Sequence, residues 1–238
     1  MLGNKILEIA LQHVGEQYIL GSQAPKNDPN WKGPWDCAEF ASWCAYQAYG
    51  ILFGVMPKGN PSIADAYTGY WDEDAKSNPS LIITPLEAST TAGAFLLRKP
   101  VKHGDVKIPG HIVISNGHGG TIEAMDRSHG VVTSKLAGRR WDMGILLPGV
   151  TYQGGEGTLQ PDFEPNIVLR YTEPMISNPL VTRVQTALQA AGYDPKGIDG
   201  LFGPDTAVAV GKFQEAHGIV VDGEVGGITA QLLGISLE

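Results

Sequence analysis

Near the N-terminus, apolar residues recur at Ile6, Leu7, Ile9, Ala10, Leu11 and Val14, the three-and-four spacing of an amphipathic helix. A stronger pattern follows in DCAEFASWCAYQAYG, residues 36–50, where Cys37, Phe40, Ala41, Cys44, Ala45 and Ala48 trace one buried stripe. Asp36 fits the N-cap, Glu39 stands three residues on as in a capping box, and Gly50 fits the helix stop. Cys37 is then the first helical residue. The preceding GSQAPKNDPNWKGPW is full of turn formers and is expected to be an exposed loop.

Residues 51–92 keep no steady period. GAFLLR (93–98) reads as a buried strand, and a loop carrying His103 follows. HIVIS (111–115), the turn NGHGG (116–120) and TIEAM (121–125) predict a hairpin, with GVVTSKL (130–136) as a further strand. Strands that follow one strong helix predict an α+β domain, with helices set against an antiparallel sheet.

Beyond Pro148 the pattern fades into GGEG and several prolines, which predicts a linker over 150–175 between a first domain at 1–149 and a small helical one at 176–238. In the latter, Val181, Val184, Leu188 and Ala191 share a helix face, AVAVGKFQEAHG supplies a second helix, and a short third is expected near ITAQLL. IDGLFGPDT (198–206) recurs as VDGEVGGIT (221–229), 23 residues later, each copy a tight turn feeding a helix N-cap.

Composition narrows the function classes. With 238 residues, 42% hydrophobic and 18% charged, the chain has ample material for a packed core. Lys and Arg total 17 against 25 Asp and Glu, a formal net charge of −8, and no basic patch is visible, so no nucleic-acid partner is expected. No apolar run reaches about 18 residues, so no membrane span is expected. The N-terminus lacks the continuous apolar centre of a signal peptide, so export is expected by another route or from a segment absent from this sequence. The two cysteines, Cys37 and Cys44, lie about 10.5 Å apart along one helix, beyond the ~7 Å that a disulfide spans.

A thiol in the first turn of a helix meets positive partial charge that favours thiolate, while Asp36 beside it pushes the other way. Cys44 lies among alanines and aromatics and reads as packing. A nucleophilic cysteine needs a base and an orienter for that base. Of His13, His103, His111, His118, His129 and His217, His111 is the most informative, because it opens a strand. If the hairpin turns near His118, Val113 opposes Glu123, and Glu123 becomes the diagonal same-face neighbour of His111. Cys37, His111 and Glu123 then form a nucleophile, a base and an orienter. His118 and His217 read as surface residues. No HExxH occurs, and the His103–His129 spacings match no familiar metal site, so no metal and no cofactor are expected.

The runs QYILGSQAP, WDCAEFASWCAYQAYGI, GAFLLR and GHIVISNGHGGTIEA together resemble the NlpC-type family of papain-like cell-wall cysteine peptidases. In that family an Asp-Cys pair opens the active-site helix and a Gly-His opens a sheet strand, matching Asp36-Cys37 and Gly110-His111. The third polar residue follows the histidine by about a dozen positions, here Glu123, where family members often carry His. Tyr18 matches the aromatic position that lines the site near the thiol. RVQTALQAAGY, IDGLFGPDTAVAVGKFQEAHGI and VDGEVG resemble the three-helix peptidoglycan-binding domain of many cell-wall hydrolases.

The resemblance implies a papain-like catalytic domain, a small all-α domain, and a monomer that hydrolyses peptidoglycan. Cys37 would attack a stem-peptide carbonyl, His111 would carry the proton and Glu123 would hold the imidazole. The Cys37 N–H and Tyr18 would serve the oxyanion, with Asp36 lining the site. The bond implied is γ-D-glutamyl to diamino acid. The alternatives are an N-acetylmuramoyl-L-alanine amidase with the same residues, a metal-dependent amidase, or a wall-binding protein without catalysis. Action at the cell wall or periplasm is implied, in a phage lysin, a delivered toxin or a housekeeping hydrolase.

Overall fold

The central strands of the first unit, 95–98 and 111–115, are buried on both faces, which decides where its chemistry can sit. In the computed structural model, which describes residues 2–103, 106–152 and 168–237, the chain forms two compact units. Among these residues the first unit takes 2–100, 110–136 and 141–152, and the second takes 101–103, 106–109, 137–140 and 168–237. Two short excursions from the expected first domain therefore group with the second unit, where the sequence suggested a single cut. Of the expected linker, residues 153–167 lie outside the described residues.

The first unit runs α1 (Lys5–Leu11), α2 (Cys37–Tyr49), β1 (Val55–Met56), β2 (Asp65–Ala66), α3 (Thr68–Ser77), β3 (Ile82–Ile83), α4 (Pro85–Ser89) and β4 (Phe95–Arg98). After an excursion, β5 (Val101–His103) with β6 (Val106–Ile108), it continues as β7 (His111–Ser115), β8 (Gly120–Asp126), β9 (Gly130–Lys135) and β10 (Met143–Ile145). Six strands make one antiparallel sheet, in the order β3-β10-β4-β7-β8-β9. The fold class is α+β, as the sequence pattern predicts. Where a loop carrying His103 was expected, the chain pairs as the β5–β6 hairpin.

Strand alternation sorts the sheet's side chains between two cores. Phe95, Leu97, Ile112, Ile114, Ile122 and Ala124 share a core with Phe40, Ala41, Trp43, Cys44 and Ala45 of α2, which packs on β7 and β8. Leu96 and Val113 point the other way and pack with Ala88, Ala94 and Leu136. Arg98, His111, Thr121 and Glu123 have the parity of this second face, and all four are buried.

α2 matches its sequence pattern closely. Asp36 caps it by accepting the Glu39 N–H at 2.8 Å, and Gly50 closes it at φ 69°, a left-handed conformation that favours glycine. The capping box is incomplete, because Glu39 turns its carboxylate elsewhere. Its Oε2 accepts from the Ala24 N–H (2.9 Å) and from the Lys26 ammonium (2.5 Å), and its Oε1 from the Ala66 N–H (2.6 Å). Lys26 also donates to the carbonyls of Ala24 and Ala64 at 2.9 and 2.7 Å, so all three of its protons are used. Lys26 and Glu39 are both 0% exposed. The expected exposed loop is thus partly core. It carries an internal cation because burial of the Glu39 carboxylate demands one. α1 is also shorter than its pattern: Leu11 and Val14 are exposed, and His13 is buried instead, against Trp35, Phe40 and Trp43.

The second unit holds α5 (Pro179–Ala190), α6 (Pro204–Ala216) and α7 (Gly227–Leu232), packed around Val181, Val184, Leu188, Phe202, Val210 and Phe213. Ala191, expected on the buried face of α5, is exposed. The sequence repeat proves to be organised by two buried amides. Gln185 Nε2 donates to Asp199, to the Leu201 carbonyl and to Thr206, and its Oε1 accepts the Gly200 N–H. Gln214 does the same with Asp222, the Glu224 carbonyl and Thr229, and accepts the Asp222 and Gly223 N–H groups. Each Asp-Gly loop is therefore wound around one glutamine of the preceding helix.

Removing one partner of a buried ion pair strands the other, at about 3–5 kcal/mol. Lys26→Met is expected to lower the stability of the first unit by that amount. Urea unfolding should show a reduced midpoint at unchanged slope, and a loss below about 1 kcal/mol would remove Lys26–Glu39 from its structural role.

Candidate active site

Cys37 stands at the first position of α2, and three features of the local sequence hold it there. Asp36 is extended (φ −107°, ψ 176°), and its second oxygen accepts the Gly21 N–H at 3.2 Å. Trp35, one residue earlier and fully buried, is locked by backbone bonds to the 17–19 segment: its N–H donates to the Gln17 carbonyl (2.9 Å) and its carbonyl accepts the Ile19 N–H (2.8 Å). Tyr18 is carried alongside by this same pairing.

The second half of the site comes from the sheet. β7 and β8 pair with Ile114 opposite Ile122 and Ser115 opposite Thr121. Extended along the strands, this register puts Glu123 diagonal to His111 on one face. His111 Nε2 meets Glu123 Oε2 at 2.6 Å, and the Thr121 hydroxyl donates to Glu123 Oε1 at 2.5 Å. His111 is 4% exposed and Glu123 0%. The turn that fixes the register is closed by Asn116, whose side-chain oxygen accepts the N–H groups of His118 and Gly120.

The Ile112 and Ala38 backbone N–H groups lie close enough to the Cys37 thiol to favour its ionised form. Burial is the largest influence on the thiol and pushes it up to about 12. The Asp36 charge adds to this, and the two N–H groups and the Arg98 guanidinium oppose it. Asp36 is itself pushed up to about 6 by burial, against the N–H bonds it accepts. Burial, followed by the charges of Cys37 and Asp36, holds the Tyr18 phenol far above its usual range, so it is a protonated donor at any working pH. The resting thiol is neutral, and its activation must come from a neighbouring base.

The structure thus brings His111 and Glu123 into contact and gathers Tyr18, Asp36 and Cys37 near one another. It places His13, His118, His129 and His217 apart from them. His118, His129 and His217 are exposed, His129 pairing with Asp126 and His217 stacking on Phe213. Cys44 is fully buried, with its thiol pushed up by burial. Three contributors escaped the sequence reading. Thr121 shares a strand face with Glu123, so alternation alone could have found it. Arg98 pairs with His111 across β4 and β7, and no periodic signal marks it. Trp141 lies with its ring centroid 6.3 Å from that of His111, and only the tertiary fold brings it there. Among the described residues no three His, Cys, Asp or Glu side chains are grouped to hold a metal ion, and no helix is long and apolar enough to cross a membrane.

Residues 177–233, which contain α5, α6 and α7, match the family model described as "Putative peptidoglycan binding domain". Among curated proteins, the chain is similar to N-acetylmuramoyl-L-alanine amidase CwlL of Bacillus licheniformis, 28% identical over 118 residues, covering 45% of this chain and 32% of the relative. N-acetylmuramoyl-L-alanine amidase CwlA of Bacillus subtilis (strain 168) is 37% identical over 64 residues, 24% of each chain. The chain spans about a third or less of the length of these two relatives. Among solved structures, the NlpC/p60 domain of peptidoglycan hydrolase SagA is 19% identical, covering 61% of this chain and 98% of that one at a TM-score of 0.40. NlpC1 from Trichomonas vaginalis is 18% identical, covering 63% and 44% at a TM-score of 0.37.

Proposed function

We propose that this chain is a peptidoglycan hydrolase that cleaves an amide bond of the stem peptide by acyl transfer through Cys37. The observation that carries the reading is the buried His111–Glu123 pair at 2.6 Å, next in sequence to Ile112, whose backbone N–H favours the ionised Cys37 thiol. With Nε2 engaged by Glu123, Nδ1 is the nitrogen that exchanges protons. It takes the thiol proton as Cys37 Sγ bonds to the carbonyl carbon, then gives it to the leaving amine as the C–N bond breaks. Water, deprotonated by His111, releases the acyl group from the thioester. Glu123, fixed by the Thr121 hydroxyl, selects the tautomer and stabilises the imidazolium that forms in each step. The Cys37 N–H at the helix start and the Tyr18 hydroxyl serve the oxyanion.

The bond favoured is that between γ-D-glutamyl and the diamino acid. A second reading, cleavage between muramic acid and L-alanine, draws support from the names of the curated relatives. The second unit, by its family match, tethers the enzyme to peptidoglycan and raises its effective concentration there.

Mass spectrometry of digested peptidoglycan tests the chemistry and names the bond. Cys37→Ala and His111→Ala are each expected to lose at least about a thousandfold in turnover, and the double variant to be no worse than either, because the residues act as a unit. Glu123→Gln keeps the shape but loses the charge that holds the imidazolium, and should fall about a hundredfold or more. Cys44→Ala should remain active. Equal fragment yields from Cys37→Ala and wild type would overturn the mechanism.

The charge beside the thiol gives a separate expectation. Asn caps a helix as well as Asp does, so Asp36→Asn retains α2 while removing one of the influences that raise Cys37. Alkylation of Cys37 by iodoacetamide should then begin at lower pH than in wild type. Because the folded Asp36 value lies above its ordinary 3.8, its ionised form costs stability above about pH 6, and that cost disappears as pH falls through 6 toward 3.8. Asp36→Asn should therefore flatten stability across this window. An unchanged alkylation profile would mean that Asp36 does not govern the thiol.

A further inference from the structure

The sheet face that carries His111 and Glu123 also carries a buried cation. Arg98 closes β4, and the register sets it directly opposite His111 on β7, where facing side chains stand about 4.5–5.5 Å apart at Cβ. Its parity is that of Leu96, which packs with Val113 on this face, so its side chain leaves the strand on the His111 side. Arg98 is only 4% exposed, and a guanidinium keeps its charge wherever it is placed.

Both flanks of Arg98 are clamped. The Leu97 carbonyl accepts the Asp142 N–H at 2.9 Å, and the Lys99 N–H donates to the Asp142 carboxylate at 2.7 Å. A Cβ on Gly110 would stand 2.9 Å from the Arg98 carbonyl, so it is glycine that lets the residue before His111 lie this close. Charged and titratable groups reach this region from each element around β4. β7 brings His111 and β8 brings Glu123, while the start of α2 brings Cys37 with Asp36 beside it. Asp142, ahead of β10, is exposed. α3 brings Asp72, engaged by Lys76 and Lys99, and α4 brings Glu87, which is bound to its own N-cap.

A carboxylate buried as deeply as Glu123 needs a balancing charge, and Lys26 meets that need for Glu39 in the same unit. At 2.6 Å from Glu123 stands His111, which supplies charge only when protonated. An imidazolium is no base, and the proposed attack requires the ring to take the thiol proton. We infer that Arg98 is a positioning residue of the proposed hydrolysis, acting through His111 and Cys37: its guanidinium balances the buried Glu123 charge, so that the imidazole stays an uncharged base to lower pH. This inference rests on the proposed hydrolysis and extends it to a residue outside the nucleophile, base and orienter. A cation disfavours imidazolium and favours thiolate, so one guanidinium acts on both ends of the proton transfer. At the thiol, the Arg98 charge opposes the rise that burial and Asp36 impose. The Trp141 ring, its centroid 6.3 Å from that of His111, adds apolar cover in which charges act more strongly than in water.

The test is the pH profile of kcat/KM on soluble muropeptides, which reports the ionising groups of the free enzyme, read beside the pH at which iodoacetamide begins to alkylate Cys37. Arg98→Met keeps an unbranched apolar stem and removes the charge. Its acid limb is expected to move up by about one pH unit or more, the scale for a charge within about 6 Å, and alkylation should begin at higher pH. Arg98→Lys keeps the charge and should return most of both shifts. Arg98→Met profiles that coincide with wild type overturn the inference, whatever happens to the melting temperature, because a purely structural role leaves the limbs in place. Shifts that Arg98→Lys does not return overturn it as well, since they would come from packing. Should Arg98→Met fail to fold, the double variant Arg98→Met/Glu123→Gln, which removes both charges, decides by urea unfolding. A folded double variant supports the balance of charges, and an unfolded one overturns it. Wild type that cleaves no muropeptide overturns the hydrolysis reading instead, and the alkylation profiles then judge Arg98 by themselves.

Discussion

A single buried carboxylate organises the first unit. Glu39 sits inside the helix that begins at Cys37, and its two oxygens collect the Lys26 ammonium and the N–H groups of Ala24 and Ala66. Two stretches of chain far apart in sequence, 24–26 and 64–66, are therefore fixed to one turn of helix. Loss of the ammonium would leave an isolated charge in an apolar setting, which is far more costly than the net worth of the pair. The consequence for chemistry is positional. The first turn of α2 cannot shift without breaking the Glu39 cluster, so the thiol is placed by a structural ion pair and not by the reacting groups themselves.

The same logic explains why the sheet is covered on both faces. His111 and Glu123 need a dry environment for their hydrogen bond to orient the ring strongly, and the side of the sheet away from α2 supplies it. Burial has a cost at the nucleophile, whose thiol is pushed up to about 12. In the proposed mechanism the helix start and Tyr18 offer donors for an oxyanion, while the proton is handled by an imidazole whose own partner is locked by Thr121. A neutral resting thiol also resists casual oxidation and alkylation, since the thiolate is the reactive form.

The second unit reaches rigidity by a different device. Its Asp-Gly loops would leave buried N–H and carbonyl groups unmatched, and in each copy one glutamine satisfies them together. Because each glutamine belongs to the helix that precedes its loop, the duplicated loops are products of the helices before them and not independent turns. The match of residues 177–233 to a peptidoglycan-binding family model concerns this scaffold.

Local signals determined a great deal. The stripe from Cys37 to Ala48, capped by Asp36 and stopped by Gly50, needs only helical periodicity and end chemistry. The hairpin register that aligns Glu123 with His111 follows from period-two alternation and an Asn-Gly turn, and resemblance supplied the roles expected of those residues. What the sequence did not carry were contacts between residues with no periodic relation. Lys26 looked like one more polar residue in a turn-rich loop, because the carboxylate that buries it lies on another element. Residues 51–92 seemed patternless because short strands and helices there pack on several neighbours at once, so no single face repeats. Outside them, Arg98 and Trp141 gain their meaning only from their places beside His111. Periodicity reports which face of an element is apolar. Which polar groups converge on one point is decided by packing alone.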